Sequence, residues 1–345
     1  MKQNTILDLS ERTGYSISTI SRVLSGKSKQ YRISEKTVTL IENEARAMGY
    51  TPSFMAKCLR TNRTHTLGLI VPCIDNPYFA AIASVVVSEA RNLGYSVIII
   101  DSKDSEADEQ EGIRLLLARR VDGMVVVPCS NDATMLEMVS ETIPVVLIDR
   151  YYENTKLSYV CSDNYNGSID AVKYLTQFGH RRILCIRGNL HATPVKDRVR
   201  GYRDAMRAAS FDDSVHISGN SFSIETGYLE TKLALNAREN RPTAVFALSN
   251  TILLGALKAI KEADLRIPDD ISLVSFDGSK YFDFLDPAIT HVSQPVNEMG
   301  LLAIKILVQQ IDGSGESGTH IELPVHLVVK DSVGMLRPEP ASAEE

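Results

Sequence analysis

Apolar positions along the chain change their period after about residue 64. Before that point they recur at helical spacing in three short stretches. Ile6, Leu9 and Thr13 mark one helix, Ile20, Val23 and Leu24 a second, and Val38, Ile41, Ala45 and Met48 a third. Gly14 stops the first helix, and Ser16 is a good N-cap for the second, over 17–24. Gly26 ends the second; the third begins after Ser34 as cap and ends at Gly49. Only Gly14-Tyr15-Ser16 joins the first two, the spacing of a helix-turn-helix. Packing Ile20, Val23 and Leu24 on the first helix leaves Ile17, Ser18, Ser21 and Arg22 toward the other side. That face is short, mostly polar and led by small residues, which suits entry into a major groove.

Beyond residue 64 the pattern switches to short, continuous apolar runs alternating with amphipathic stretches. Runs at 67–71, 96–100, 123–127 and 145–148 read as buried parallel strands. Helices at 79–93, 106–119 and 133–141 separate them. A second series starts near Tyr159, with helices at 166–178, 196–209, 224–237 and 252–263 and strands at 183–186, 244–248 and 271–276. Two consecutive βα series predict two doubly wound parallel-sheet lobes. A helix at 296–311 and a strand at 320–329 are expected to cross back between the lobes. Ligands of open α/β sheets bind beyond the carboxyl ends of the strands, here in the cleft where two such edges face each other.

The expected organisation is an all-α helix-turn-helix head over 1–51, a hinge helix and linker over 52–63, and an α/β core over 64–335. A tail at 336–345 follows. Lobe one takes about 64–161 and 295–320, and lobe two about 162–294 and 321–335. Pro52 marks the break into the hinge and Ser53 can cap a short helix there.

Charge sharpens the division. The net charge is -6, yet residues 1–65 carry eleven Lys and Arg against five Asp and Glu, while the remainder carries 26 against 38. A small basic head on an acidic body suggests a polyanion-binding module attached to something else. The five cysteines are odd in number, widely spaced and without a CxxC, which argues against a zinc site or a disulfide framework and fits a reducing cytoplasm. No run of about 18 apolar residues and no apolar h-region occurs, so neither a membrane span nor a secretory signal is expected.

The run TILDLSERTGYSISTISRVLSGK resembles the head of the LacI/GalR family of bacterial transcription regulators. Thr5, Ile6, Asp8, Gly14, Ser16, Thr19, Ser21, Arg22, Val23, Leu24 and Gly26 match the family pattern. Ser25 departs from it, standing where Asn is usual. The stretch from Gly26 to Ser34 is about three residues longer than the lactose repressor's and resembles the fructose and sucrose regulators of the family. The resemblance implies that Ile17, Ser18 and Arg22 read bases. Ile17 would meet a thymine methyl, Ser18 a base edge, and Arg22 a guanine through O6 and N7. Thr19 and Ser21 would bond phosphates, as would Lys29 and Arg32 of the longer loop. Residues 54–60 resemble the family's hinge helix. Ala56 is small enough for two such helices to pack closely, Lys57 stands where the family has Arg, and Leu59 stands where it places an apolar wedge in the minor groove. A helix of this length is unstable alone, so it would order on DNA beside its twin.

The core carries the same resemblance, which includes similarity to periplasmic sugar-binding proteins. It rests on Thr66 to Pro72, Asn76 to Phe79, Val121-Asp-Gly123, Ile148-Asp-Arg150, Gly179-His180, Arg198-x-x-Gly201-Tyr202, 267–271, 274–277 and Gln294. Tyr78 and Phe79 follow strand one at a Pro turn, where aromatic faces pack on a sugar or a flat base. Asp149 and Asp277 end strands on their carboxyl sides, where a carboxylate accepts hydroxyl bonds. Arg198 supplies donors from near a helix start, and Gln294 reaches in from a crossover. The resemblance implies that Tyr78, Phe79, Asp149, Asp277 and Arg198 carry over from the family's ligand-contacting positions. Ser249-Asn250 stands where the family usually has Asn-Asp, so the effector need not be a plain hexose or pentose.

No Gly-x-Gly-x-x-Gly follows a strand, no P-loop, HExxH or Gly-x-Ser-x-Gly occurs, and the seven histidines lack metal spacing. His180 is assigned a structural role. No enzyme, cofactor or metal is expected. The expected molecule is a cytoplasmic homodimeric regulator, a repressor, that binds an inverted-repeat operator in double-stranded DNA. A sugar or sugar phosphate between its lobes would switch it. A sugar-binding transport protein or an α/β enzyme with an accessory head are the alternatives.

Overall fold

The computed structural model describes residues 4–50, 63–237 and 240–336. The chain divides into two compact units, Met1–Thr64 and His65–Glu345.

In the first unit, α1 (Ile6–Thr13), α2 (Ile17–Leu24) and α3 (Glu35–Ala47) enclose Leu9, Ile20, Val23, Ile41 and Ala45. Each helix start is capped by a hydroxyl. Thr5 and Asp8 form a reciprocal capping box at α1, with the Thr5 N–H donating to Asp8 Oδ2 at 2.7 Å. Ser16 accepts from Thr19 N–H at α2, and Ser34 from Thr37 N–H at α3. Gly14, at φ 75°, closes α1 in the left-handed conformation that glycine adopts without strain. The hinge candidates Ala56, Lys57 and Leu59 lie outside the described residues.

The second unit holds two six-stranded sheets. The first is wholly parallel, in the order β11-β5-β4-β3-β1-β2. Its strands are β1 (Thr66–Val71), β2 (Ser96–Asp101), β3 (Gly123–Val126), β4 (Val145–Ile148), β5 (Ser158–Ser162) and β11 (His320–Leu323). Helices α4 (Pro77–Asn92) and α11 (Val296–Ile311) cover one face, burying Phe79, Ile82, Val86, Met299, Ala303 and Leu307 against it. Helices α5 (Glu106–Ala118) and α6 (Thr134–Ser140) cover the other.

The second sheet runs β12-β10-β9-β8-β6-β7, parallel except for the antiparallel β12. It comprises β6 (Ile183–Ile186), β7 (His216–Ser218), β8 (Ala244–Ala247), β9 (Ser272–Phe276), β10 (Thr290–Ser293) and β12 (His326–Val328). Helices α7 (Asn164–Gln177) and α8 (Thr193–Ala208) pack on one side, α9 (Ile224–Leu235) and α10 (Asn250–Glu262) on the other. α9 and α10 cross almost backbone to backbone at two glycines. A Cβ added to Gly227 would sit 2.0 Å from the Ile252 carbonyl oxygen, and one on Gly255 equally close to that of Ile224.

The chain passes between the lobes three times: after β5, after β10 and between β11 and β12. The single strand expected at 320–329 is therefore two strands in different sheets. Residues 321–323 belong with lobe one, not lobe two. Pro324 separates them; it has no N–H to give a ladder, so a strand cannot run through it.

His180 has a structural place. Its Nε2 faces the Gly334 carbonyl at 3.1 Å and its Nδ1 the Thr243 hydroxyl at 3.0 Å. Burial lowers its pKa below the ordinary imidazole value. The unfolded chain thus takes up this proton near pH 6.5 while the folded chain resists it. The stability that wild type holds over a His180→Gln variant is expected to shrink as pH falls from 7.5 to 5.5. Urea titrations at several pH values test this; a difference constant with pH would show that His180 titrates alike in both states.

Candidate functional site

Two regions collect the candidate residues. On the first unit, α2 presents Ile17, Ser18 and Arg22 exposed, with Thr19 and Ser21 half-buried beside them. Ser16, the cap, ties this end of the helix together: its Oγ lies 2.9 Å from both Ser18 Oγ and Thr19 Oγ1. Lys29 and Arg32 are exposed on the following loop, where Arg32 takes a positive φ of 53°. Arg22 lays its guanidinium over the Tyr31 ring, 4.0 Å from the centroid.

The second region lies between the sheets of the second unit. Asp149 leaves β4 and Asp277 leaves β9, both in the left-handed backbone conformation, at φ 68° and 70°. Aspartate tolerates that conformation better than most residues, and it turns each carboxylate off the strand end into the cleft. Asn76 caps α4 by accepting from the Tyr78 N–H at 2.9 Å, which fixes Tyr78 and Phe79 at the mouth of the first sheet. The Tyr78 hydroxyl donates to Asp149 Oδ1 at 2.7 Å and lies 3.1 Å from Gln294 Oε1. Gln294 in turn donates from Nε2 to Asp277 Oδ1. A chain of polar contacts thus spans the cleft.

Arg198, on α8, is the cation of the cleft. It donates from Nε to Asn164 Oδ1 at 2.8 Å and from Nη1 to the Leu248 carbonyl at 2.7 Å. Its Nη2 lies 3.6 Å from Asp277 Oδ1, and its guanidinium covers the Phe276 ring at 3.7 Å. Arg150 stands nearby, paired with Asp104 and lying between the Phe79 and Phe222 rings.

Burial sets the electrostatics. Desolvation raises the pKa of Asp149 and of Asp277, and the Arg198 charge works against it at both. Tyr78 is held well above its ordinary value by burial and by the two carboxylates.

The remaining space among these groups is about 20 Å³, bordered by Asn76, Tyr78, Phe79, Asp149, Arg198 and Asp277, among others. That is room for about one water. A recess of about 720 Å³ adjoins it, sharing Arg150 and lined by 128–133 of lobe one and by Asn189, His191 and Thr193 of lobe two. The lobes also touch where the Tyr151 N–H donates to Thr193 Oγ1 at 3.1 Å.

The structure therefore gathers Tyr78, Phe79, Asp149, Arg198, Ser249, Asp277 and Gln294. Ser249 caps α10 by accepting from the Ile252 N–H while bordering the cavity. Asn250 is fully buried, and neither polar atom of its side chain has a partner among the described residues. Asn164, Phe222, Phe276 and Arg150 belong to the site without having been singled out in the sequence. Arg150 had a signal, since it follows Asp149 at a strand end. Asn164 opens α7 and Phe222 lies in the loop before α9, and neither had one. Among the described residues no cluster of metal-ligating side chains occurs, and no helix is long and apolar enough to cross a membrane.

Similarities to known proteins cover the same two regions. Residues 5–53 match the family of bacterial regulatory proteins, lacI family, and residues 172–333 match the periplasmic binding protein-like domain. The HTH-type transcriptional regulator DegA of Bacillus subtilis (strain 168) is 32% identical over 340 residues, 97% of this chain and 99% of the relative. The ribose operon repressor of Haemophilus influenzae is 30% identical over 336 residues, 96% of this chain and 99% of the relative. In fold, the chain is similar to the lac repressor dimer bound to operator and the anti-inducer ONPF. The TM-score is 0.87 at 24% identity, over 96% of this chain and all of that one.

Proposed function

This chain belongs to the lacI family of bacterial regulatory proteins, and from that membership we propose a homodimeric repressor switched by a neutral polyhydroxyl effector bound between its lobes. Its family makes the chain a DNA-binding transcriptional repressor, and its relatives are regulators, not enzymes. Ile17, Ser18 and Arg22 read bases, Thr19, Ser21, Lys29 and Arg32 hold phosphates, and Ala56, Lys57 and Leu59 form the hinge contact. Two heads address an inverted repeat because two-fold protein symmetry calls for two-fold DNA symmetry.

One observation carries the effector's chemistry. The cleft buries two carboxylates beside two arginines that are each already matched with a carboxylate: Arg198 lies against Asp277 while donating to Asn164 and the Leu248 carbonyl, and Arg150 is paired with Asp104. A phosphate would bring a charge of about −1.5 to −2 beside Asp149 and Asp277, whose neighbouring arginines are already paired with carboxylates. Hydroxyl groups, by contrast, can replace the Tyr78 and Gln294 bonds to these carboxylates while the aromatic rings pack on C–H faces. This favours a neutral sugar or other polyol over a sugar phosphate. A ligand that parts Tyr78 from Gln294 changes the spacing of the lobes. A coupling of about 1–3 kcal/mol to the hinge would change operator affinity roughly 5–150-fold.

A thermal-shift panel of neutral sugars, polyols, nucleosides and sugar phosphates tests the reading. A neutral polyol at about a hundred times its Kd is expected to add roughly 2.7 kcal/mol, while its phosphate ester adds nothing. A response to the phosphate ester alone would overturn it.

A further inference from the structure

We propose that Tyr31 is a positioning residue for DNA reading, holding the Arg22 guanidinium in a preset orientation so that it selects one guanine in each half-site. The inference deepens the operator-binding reading and rests on Arg22 being a base reader.

The loop after α2 is built to bring Tyr31 to Arg22. Gly26 turns the chain at φ 72°, and the Lys27 N–H donates back to the carbonyl of Arg22 itself at 2.9 Å. Two further turns follow: Tyr31 N–H to the Lys27 carbonyl at 3.2 Å, and Ile33 N–H to the Ser28 carbonyl at 3.0 Å. Ile33 then packs on the core of the head. The loop is thus pinned at one end to the backbone of Arg22 and at the other to the core. The Tyr31 ring is carried between these anchors, 4.0 Å from the Arg22 guanidinium.

Arg22 differs from the other arginines of the helices here. Arg12 is paired with Glu44 at 2.7 Å and Arg46 with Glu42 at 3.6 Å. Among the described residues, Arg22 makes no ion pair; its side chain is exposed and lies over the Tyr31 ring. A ring against one face of a guanidinium leaves its edge N–H groups free, and the edge is what forms two parallel bonds to guanine O6 and N7. An unstacked arginine must freeze several rotamers on binding; a stacked one has fewer left to freeze. The longer loop noted in the sequence therefore has a task beyond adding Lys29 and Arg32 to the phosphate contacts: it supplies the ring.

The test is selection of bound sequences from a randomised duplex DNA library, using the full-length protein, its Tyr31→Ala and Tyr31→Phe variants, Arg22→Ala and the double variant. Arg22→Ala is expected to erase a guanine preference at one position of each half-site. Tyr31→Ala should relax the preference at that same position by about two- to fivefold, as expected for a solvent-exposed cation–π contact. Other positions should keep their preference, and Tyr31→Phe, which keeps the stack, should select like wild type. In the Arg22→Ala background the Tyr31 change should add nothing. An unchanged guanine preference in Tyr31→Ala overturns the proposal while leaving Arg22 as a reader. A loss in Tyr31→Phe, or an added loss in the double variant, overturns it in favour of a direct tyrosine contact. A guanine preference that survives Arg22→Ala removes the base-reading premise itself.

Discussion

Replacing Arg198 with alanine is expected to abolish the effector response and to cost about 3–5 kcal/mol of stability, the penalty for breaking a buried charge cluster by removing one partner. The substitution strips the donor from Asn164 Oδ1 and from the Leu248 carbonyl, takes the cation from Asp277, and leaves Asp149 with Arg150 alone. The two carboxylates, already raised by burial, would then rise further. A carboxyl raised in the folded state supports folding below its unfolded pKa and loses that support as pH climbs through its folded value. The deficit of the variant is therefore expected to be largest at pH 8 and to narrow toward pH 5. Denaturant titrations at several pH values check this, and an operator assay with and without effector checks the response. The head encloses its own core of Leu9, Ile20, Val23, Ile41 and Ala45, so DNA binding by the variant should persist. Wild-type stability in Arg198→Ala, or an intact response, would remove the residue from the centre of the site.

A second large effect is expected at Gly255. Alanine in place of glycine within a helix ordinarily stabilises by about 1 kcal/mol. Here the sign should reverse. The added Cβ would lie 2.0 Å from the Ile224 carbonyl oxygen and 2.5 Å from the Tyr228 nitrogen. Both are backbone atoms of α9, so no rotamer change relieves the clash and the helices must separate. Overpacking typically costs 1–3 kcal/mol, and a backbone clash belongs at or above the top of that range. Gly300→Ala is the milder comparison, because its nearest neighbour is the Val85 side chain at 2.6 Å. Equal thermal stabilities for Gly255→Ala and wild type would refute the close crossing. The readout matters beyond stability, since α9 also exposes Ile224, Leu229 and Leu233, and moving the helix moves that apolar row.

Much of this architecture is visible in the residues alone, and the exceptions have physical causes. Strands β4 and β6 are unbroken apolar runs with breakers on both sides, and their expected and observed limits coincide. The head helices read equally well because each starts at a hydroxyl cap. Strands β7 and β10 escape notice: His216-Ile-Ser218 and Thr290-His-Val-Ser293 are short and half polar, and become strands only because neighbours offer them a ladder. α7 begins two residues before the expected start because Asp163 caps it. In the cleft, Asp149 and Asp277 stand out because a carboxylate at the end of an apolar run has nowhere apolar to go. Asn164 and Phe222 enter through tertiary approach, which no local pattern encodes. The positions of Tyr78, Gln294 and Arg198 could be guessed, but not that they would bond to one another across the cleft.

The three passages of the chain between lobes also set the order in which the molecule can be completed on the ribosome. Strand β11 and helix α11, which finish the edge and one face of the first sheet, lie at residues 296–323. Until they emerge, Val125 of the first sheet and Val86 of α4 lack their partners in the cluster with Met299, Ala303 and Leu307, although strands β1 to β4 were synthesised about 150 to 230 residues earlier. The second sheet waits for β12 in the same way. A nascent chain of this protein must carry an unfinished, sticky intermediate until residues 296–328 have been made, and a truncation before residue 296 would release two half-built lobes.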